Sequence, residues 1–170
     1  MNAAKYLLDA NVFIESAKKY YGFDIVSGFW ETIKTEYENG KLFSLQCVRE
    51  EILKGKDELK EWIKKLDPEF FLTEGEAIET YGEIQKWAAE QKERYQESAI
   101  EEFARYGNAD PWLIAFALKN KYKLVTMEKL NLEKKCAIPI PNVCEEFKIE
   151  CLDTFGMLRE LEVSLVRCEK

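Results

Sequence analysis

The 170-residue chain is 46 % apolar and 34 % charged, the balance of one soluble globular domain and not of a disordered or fibrous chain. Its 25 basic and 32 acidic residues leave a net charge of −7, which excludes a protein that coats nucleic acid through bulk positive charge. Histidine is absent altogether, so Ser-His-Asp triads, Cys-His nucleophiles, His-based ribonuclease chemistry and zinc sites that need imidazole are all excluded. Acid–base or metal chemistry here must rest on carboxylates.

The five cysteines, Cys47, Cys136, Cys144, Cys151 and Cys168, form no Cys-x-x-Cys pair, and are expected to be buried free thiols in a reducing cytoplasm. The segment MNAAKYLLDANVF holds Asp9 within its apolar stretch and lacks the small-residue cleavage site of a signal peptide. No apolar run approaches the roughly 18 residues of a membrane span. The expectation is a cytoplasmic protein with no membrane partner.

In chain order, Tyr6-Leu7-Leu8 reads as a buried strand, with Asn11 as the N-cap of a helix over Val12 to Tyr20. Ile25, Val26, Phe29, Trp30, Ile33 and Tyr37 form a helical stripe over Phe23 to Glu38, stopped by Asn39-Gly40. Leu42 to Leu45 is a second strand, followed by a helix over Val48 to Lys54 and another from an Asp57 cap to Leu66. Phe70 to Leu72 fits a brief strand. Thr73 with Glu76, and Ser98 with Glu101, have capping-box spacing, and the helical stretch up to Tyr106 needs a break between Gln91 and Ser98. Asp110-Pro111 opens an apolar helix over Trp112 to Leu118, with Asp110 as its cap. A strand over Lys123 to Thr126, a short helix near Cys144, a strand over Ile149 to Leu152 and a helix over Asp153 to Glu162 complete the chain. Strands alternating with helices predict an α/β three-layer sandwich, with a central parallel sheet and helices on both faces. The expected organisation is a single domain over 1–170 with a helical insertion at about 57–106.

In open parallel sheets functional groups collect beyond the carboxyl ends of the strands. Asp9 ends the first strand, Glu51 lies on the helix after the second, Asp110 opens the helix before the next long strand, and Glu128 follows Thr126. Four carboxylates at one edge would repel and be held protonated without compensating cations, and hard divalent ions such as Mg²⁺ or Mn²⁺ suit oxygen ligands.

These residues resemble a known family. Tyr6-Leu-Leu-Asp9-Ala-Asn11-Val-Phe-Ile is similar to the opening motif of PIN domains, and Val48-Arg-Glu-Glu51-Ile-Leu-Lys-Gly to their second. Asn108-Ala-Asp110-Pro-Trp-Leu-Ile-Ala-Phe-Ala resembles the third motif, and Leu124-Val-Thr126-Met-Glu128 the fourth, where many members carry Asp. The first and third are specific as a pair; the second and fourth are weak alone. Pro141-Asn-Val-Cys144 and the tail to Val163 resemble an uncharacterised subfamily close to the VapC toxins. The resemblance implies a metal-dependent endoribonuclease using Mg²⁺ or Mn²⁺, with Asp9, Glu51, Asp110 and Glu128 as catalytic acids. Asp9, Asp110 and Glu128 would be metal ligands, and Asn11 and Thr126 supporting groups. It further implies an RNA substrate, the toxin role in a toxin–antitoxin pair with an antitoxin partner, and a homodimer. The alternative is a catalytically silent PIN-like domain that binds RNA or a protein. A response-regulator receiver would want an acid pair after the first strand, and a haloacid-dehalogenase-like phosphatase an Asp where Asn11 stands.

Each acid has a plainer reading as solvated surface charge, and Glu50 beside Glu51 competes for the second position. Trp30, Trp62, Trp87 and Trp112 lie in apolar stripes and are expected in the core. Lys18, Lys19, Arg49, Lys54, Arg105 and Lys129 flank the proposed site and fit a phosphate-guiding rim or ordinary surface charge equally well.

Overall fold

The computed structural model describes residues 4–166; Cys168, one of the expected free thiols, lies outside them. Five parallel strands form one sheet in the order β3-β2-β1-β4-β5: β1 (Tyr6–Leu8), β2 (Leu42–Leu45), β3 (Phe71–Leu72), β4 (Lys123–Val125) and β5 (Cys151–Leu152). Tyr6, Leu7 and Leu8 are all buried, as the central strand of a sheet covered on both faces must be. The register pairs Leu7 with Phe43 on one side and with Leu124 on the other. Nine α-helices among the described residues surround the sheet, giving the three-layer α/β arrangement.

The helices are α1 (Ala10–Glu15), α2 (Ser27–Glu38), α3 (Gln46–Leu53), α4 (Glu58–Lys65), α5 (Ile78–Glu90), α6 (Glu97–Ala104), α7 (Asp110–Asn120), α8 (Ile140–Phe147) and α9 (Thr154–Glu160). The stretch 57–106 supplies α4, the edge strand β3, α5 and α6. Helix α7 is buried at Pro111 and from Leu113 to Ala117, and packs on β4, α5, α6 and α8. No helix of the described residues is long and apolar enough to cross a membrane.

Several local expectations give way to tertiary contacts. Asp9, not Asn11, stands at the N-cap of α1, because the Asn11 side chain is drawn to the loop after β4. The helix predicted from Phe23 begins at Ser27. Ahead of it Phe23 stacks on Trp30 with ring centroids 4.1 Å apart, and the Trp30 indole N–H donates to the Tyr21 carbonyl at 2.7 Å, so packing outweighs the helical period. The chain after α1 widens into a π turn over Ser16–Tyr20. Neither capping box forms: Thr73 precedes a 3₁₀ turn without a side-chain cap, and α6 starts one residue before Ser98. Asp57 does cap α4, its carboxylate accepting from the Lys60 N–H. Trp30 is fully buried and Trp62, Trp87 and Trp112 pack against the core as partly buried groups. Of the thiols, Cys144 is buried, Cys47 and Cys151 are half-buried and Cys136 is exposed, which corrects the expectation of uniform burial. Cys136 lies on the surface segment after β4, which has no apolar period to bury it.

Candidate functional site

The sheet order reverses direction between β1 and β4: the chain runs outward through β2 and β3 on one side, then returns to place β4 and β5 on the other. A crevice opens beyond the carboxyl ends of the strands at such a switch point. The Asp9 N–H donates to the Val125 carbonyl at 3.0 Å, so the residue just after β1 is pinned to the end of β4. The Thr126 hydroxyl donates to Asp9 Oδ2 at 2.8 Å. Asn11 in turn donates from Nδ2 to Thr126 Oγ1 at 3.0 Å and accepts the Met127 N–H at 2.8 Å. Asp9 and Thr126 are 5 % and 1 % exposed, so the carboxylate direction is set by a buried hydrogen-bond network.

Asp110 arrives by a different device. Gly107 takes a positive φ of 84°, which glycine adopts without steric cost. Asn108 then bridges two helices: its Nδ2 donates to the Glu102 carbonyl at 3.1 Å near the end of α6, and its Oδ1 accepts the Asp110 N–H at 3.0 Å. Ala109 occupies the N-cap and Asp110 is the first helical residue, so the expected capping role of Asp110 is corrected. Asn108 has taken that task, and the Asp110 carboxylate is left to face the crevice.

A cavity of about 420 Å³ at this edge is lined by Asp9, Glu51, Glu102, Asp110 and Glu128, together with Lys54, Arg105 and Lys134. All four predicted acids and Asn11 therefore reach one cavity, and Glu51 rather than Glu50 is the acid of α3 that lines it. Glu51 stands exposed at the mouth. Of the basic residues that flank the site in sequence, Lys54 and Arg105 line the cavity. Lys19 instead pairs with Glu15 at 3.4 Å, and Arg49 lies over the Phe71 ring at 5.7 Å. Glu102 and Lys134 were not legible: nothing in the periodicity of α6 or of the loop after β4 marks them.

Five carboxylates face three cations in this cavity, and Arg105 is itself paired with Glu102 at 2.9 Å. Burial raises the Asp9 carboxyl to about 7; the Thr126 hydroxyl lowers it, and Glu128 and Glu51 push it further up. Burial also holds Asp110 well above its ordinary range, with repulsion from Asp9, Glu128, Glu51 and Glu102 adding to it. Glu51 is raised by desolvation against the pull of Lys54. Glu128 is engaged elsewhere, its Oε2 accepting the Ile140 N–H at 2.8 Å.

Among the described residues no three Cys, Asp or Glu side chains form a group that would hold an ion as they stand. The donor chemistry nonetheless fits a hard divalent cation: oxygen ligands only, on two buried acids whose charged forms repel one another. Asp9 and Asp110, with Glu51 at the mouth, are the residues that would hold one.

The parallel α/β sandwich and its acidic cavity at the strand ends define the class, an α/β protein with a carboxylate-lined crevice at the switch point of its sheet. Residues 6–165 match the family described as a domain of unknown function, DUF4411, and the chain belongs to that family. No curated protein and no solved structure matches it.

Proposed function

We propose that this protein is a Mg²⁺- or Mn²⁺-dependent endoribonuclease of the PIN type. The observation that supports the reading is the convergence of Asp9, Glu51, Asp110 and Glu128, from four separate parts of the chain, on one cavity at the carboxyl edge of a parallel sheet. Asp9 and Asp110 would hold the cation, with Glu51 at the mouth. A bound divalent ion would polarise the phosphodiester and supply a nucleophile from water at neutral pH. Thr126 and Asn11 fix the direction of the Asp9 carboxylate. Lys54, Arg105 and Lys134 supply the local positive charge that a phosphate backbone needs on a protein whose net charge is −7. In-line attack by water leaves a 5′-phosphate and a 3′-hydroxyl.

On the same reading the protein works in the cytoplasm as the toxin of a toxin–antitoxin pair. The antitoxin would insert Arg or Lys into the acidic cavity, and a homodimer is the expected assembly. The experiment is cleavage of a panel of structured RNAs by wild type and Asp110→Asn, with Mn²⁺, Mg²⁺ or EDTA. Cutting that requires the ion and Asp110 supports the proposal, and a 2′,3′-cyclic phosphate end refutes the mechanism. The second reading, a silent domain that binds RNA or protein, draws on the finding that among the described residues no three acids form a group that would hold an ion as they stand. It predicts RNA binding without cleavage, and no thermal stabilisation of wild type by Mn²⁺.

A further inference from the structure

We infer that Glu128 is a positioning residue, whose side chain fastens the start of α8 and so fixes the loop 129–139 as one wall of the acidic cavity, and that it is not a cation ligand. The inference rests on the reading of that cavity as a cation site. Helix α8 opens with Pro139-Ile140-Pro141, and neither proline has an N–H. The N–H groups of Asn142 and Val143 go to the Pro139 carbonyl at 3.1 and 3.4 Å. The Ile140 N–H is left, on a residue that is fully buried, and no side chain of α8 caps it. Glu128 supplies the acceptor at 2.8 Å from outside the helix. A buried donor without a partner is costly, and an anion at a helix N-terminus is favourable; both considerations place Glu128 there.

The bond joins the two ends of the loop, and three further bonds hold its interior, two to Asn131 and one to Lys135, with Asn142 itself steadied by Tyr95. Buried Asn142 accepts the Asn131 N–H at 2.9 Å and donates to the Asn131 carbonyl at 2.8 Å and to the Tyr95 hydroxyl at 3.1 Å. The Gln96 N–H donates to the Lys135 carbonyl at 2.9 Å. From this loop Lys134, Ala137, Ile138 and Pro139 line the acidic cavity. Glu128 also lines a second cavity of about 250 Å³, beside Pro141, Cys144 and Asp153, so it stands in the partition between the two. Length matters: an aspartate at 128 would reach about 1.5 Å less, one C–C bond, and lose the 2.8 Å contact with Ile140 unless the backbone moved.

Two variants separate reach from charge. Glu128→Gln keeps the length and an acceptor oxygen but loses the charge, whereas Glu128→Asp keeps the charge and loses the reach. Amide exchange at Ile140 is followed by NMR, and Mn²⁺ affinity by the electron paramagnetic resonance of the free ion. The expected result is Ile140 exchange within about threefold of wild type in Glu128→Gln and at least about tenfold faster in Glu128→Asp. Mn²⁺ affinity in Glu128→Gln should stay within about tenfold of wild type, since the missing charge acts only at a distance. Slow exchange in Glu128→Asp, fast exchange in Glu128→Gln, or a larger loss of Mn²⁺ affinity in Glu128→Gln would each overturn the inference. If wild type binds no Mn²⁺, the cation reading of the cavity falls, and exchange at Ile140 alone decides whether Glu128 fastens the loop.

Discussion

Replacing Asp9 with Asn should make the metal-free protein more stable, and the gain should grow with pH. The Asp9 carboxyl has an ordinary value of 3.8 and is raised to about 7 in the folded protein, first by burial. An acid raised on folding binds its proton more tightly in the native state. Its unfavourable contribution is therefore absent well below pH 3.8, grows as pH rises through the interval, and levels off above about 7. From those two values the cost to the folded state is about 2 kcal/mol at pH 5 and about 4 kcal/mol at pH 8. Asn removes the charge while its carbonyl oxygen still accepts from Thr126, so most of that cost should be recovered. For a chain of this size, 3–4 kcal/mol corresponds to a rise in melting temperature of roughly 6–16 °C at pH 8. The assay is thermal unfolding of both proteins in EDTA at pH 5, 6, 7 and 8, repeated with Mn²⁺. If the ion binds, a concentration of 100 Kd should stabilise wild type by about 2.7 kcal/mol and leave Asp9→Asn nearly unmoved. An Asp9→Asn protein that melts below wild type at pH 8, or a gap that does not widen from pH 5 to 8, would refute the reading of Asp9 as an acid raised by burial.

Thr126→Val removes the hydroxyl that lowers the Asp9 carboxyl; it should destabilise by about 1–3 kcal/mol and shift the pH dependence of the melting temperature upward, as the same pH series would show. Asn142→Ala strips partners from both Asn131 groups and from the Tyr95 hydroxyl in a buried setting, so a loss of about 3 kcal/mol is expected by urea unfolding, with faster exchange confined to residues 129–139. Thiol labelling mapped by peptide mass should modify exposed Cys136 first. Cys47, pushed up to about 12 by burial and Glu74, should follow slowly, and buried Cys144, raised by its hydrogen bond with Cys151 and by burial, should react only on unfolding. Equal rates for Cys136 and Cys144 would contradict the packing of α8.

The periodic parts of this fold were open to inspection in the sequence. Tyr6-Leu7-Leu8 is a buried strand because an unbroken apolar run leaves no polar face, Leu42 to Leu45 is one because its single polar residue, Ser44, donates to the Leu8 carbonyl, and α7 is buried because its middle is apolar all round. Asp9 was legible for the same reason, as an acid interrupting such a run. What escaped was decided by single partners far away in sequence. Asn11 has the chemistry of a cap but serves Met127, and Asp110 lost its capping role to Asn108. Glu102, Lys134 and the buried Asn142 sit at positions that look like ordinary surface until the loop after β4 folds back on α6 and α8. Hydrophobic spacing cannot report them, because their partners come from aperiodic segments.

The earliest strand among the described residues is the middle strand of the sheet. Until β4 is synthesised, β1 has a neighbour only on its β2 side, and the bond between Thr126 and Asp9 spans 117 positions. Contacts of such long range close late and slowly. The full set of acids thus meets only once β4 is made, and the repulsion among them arises when β1 already has neighbours on both sides. A nascent or truncated chain that ends before Lys123 has Asp9, Glu51 and Asp110 but lacks β4 beside β1, so any activity that depends on their meeting is withheld until β4 is in place.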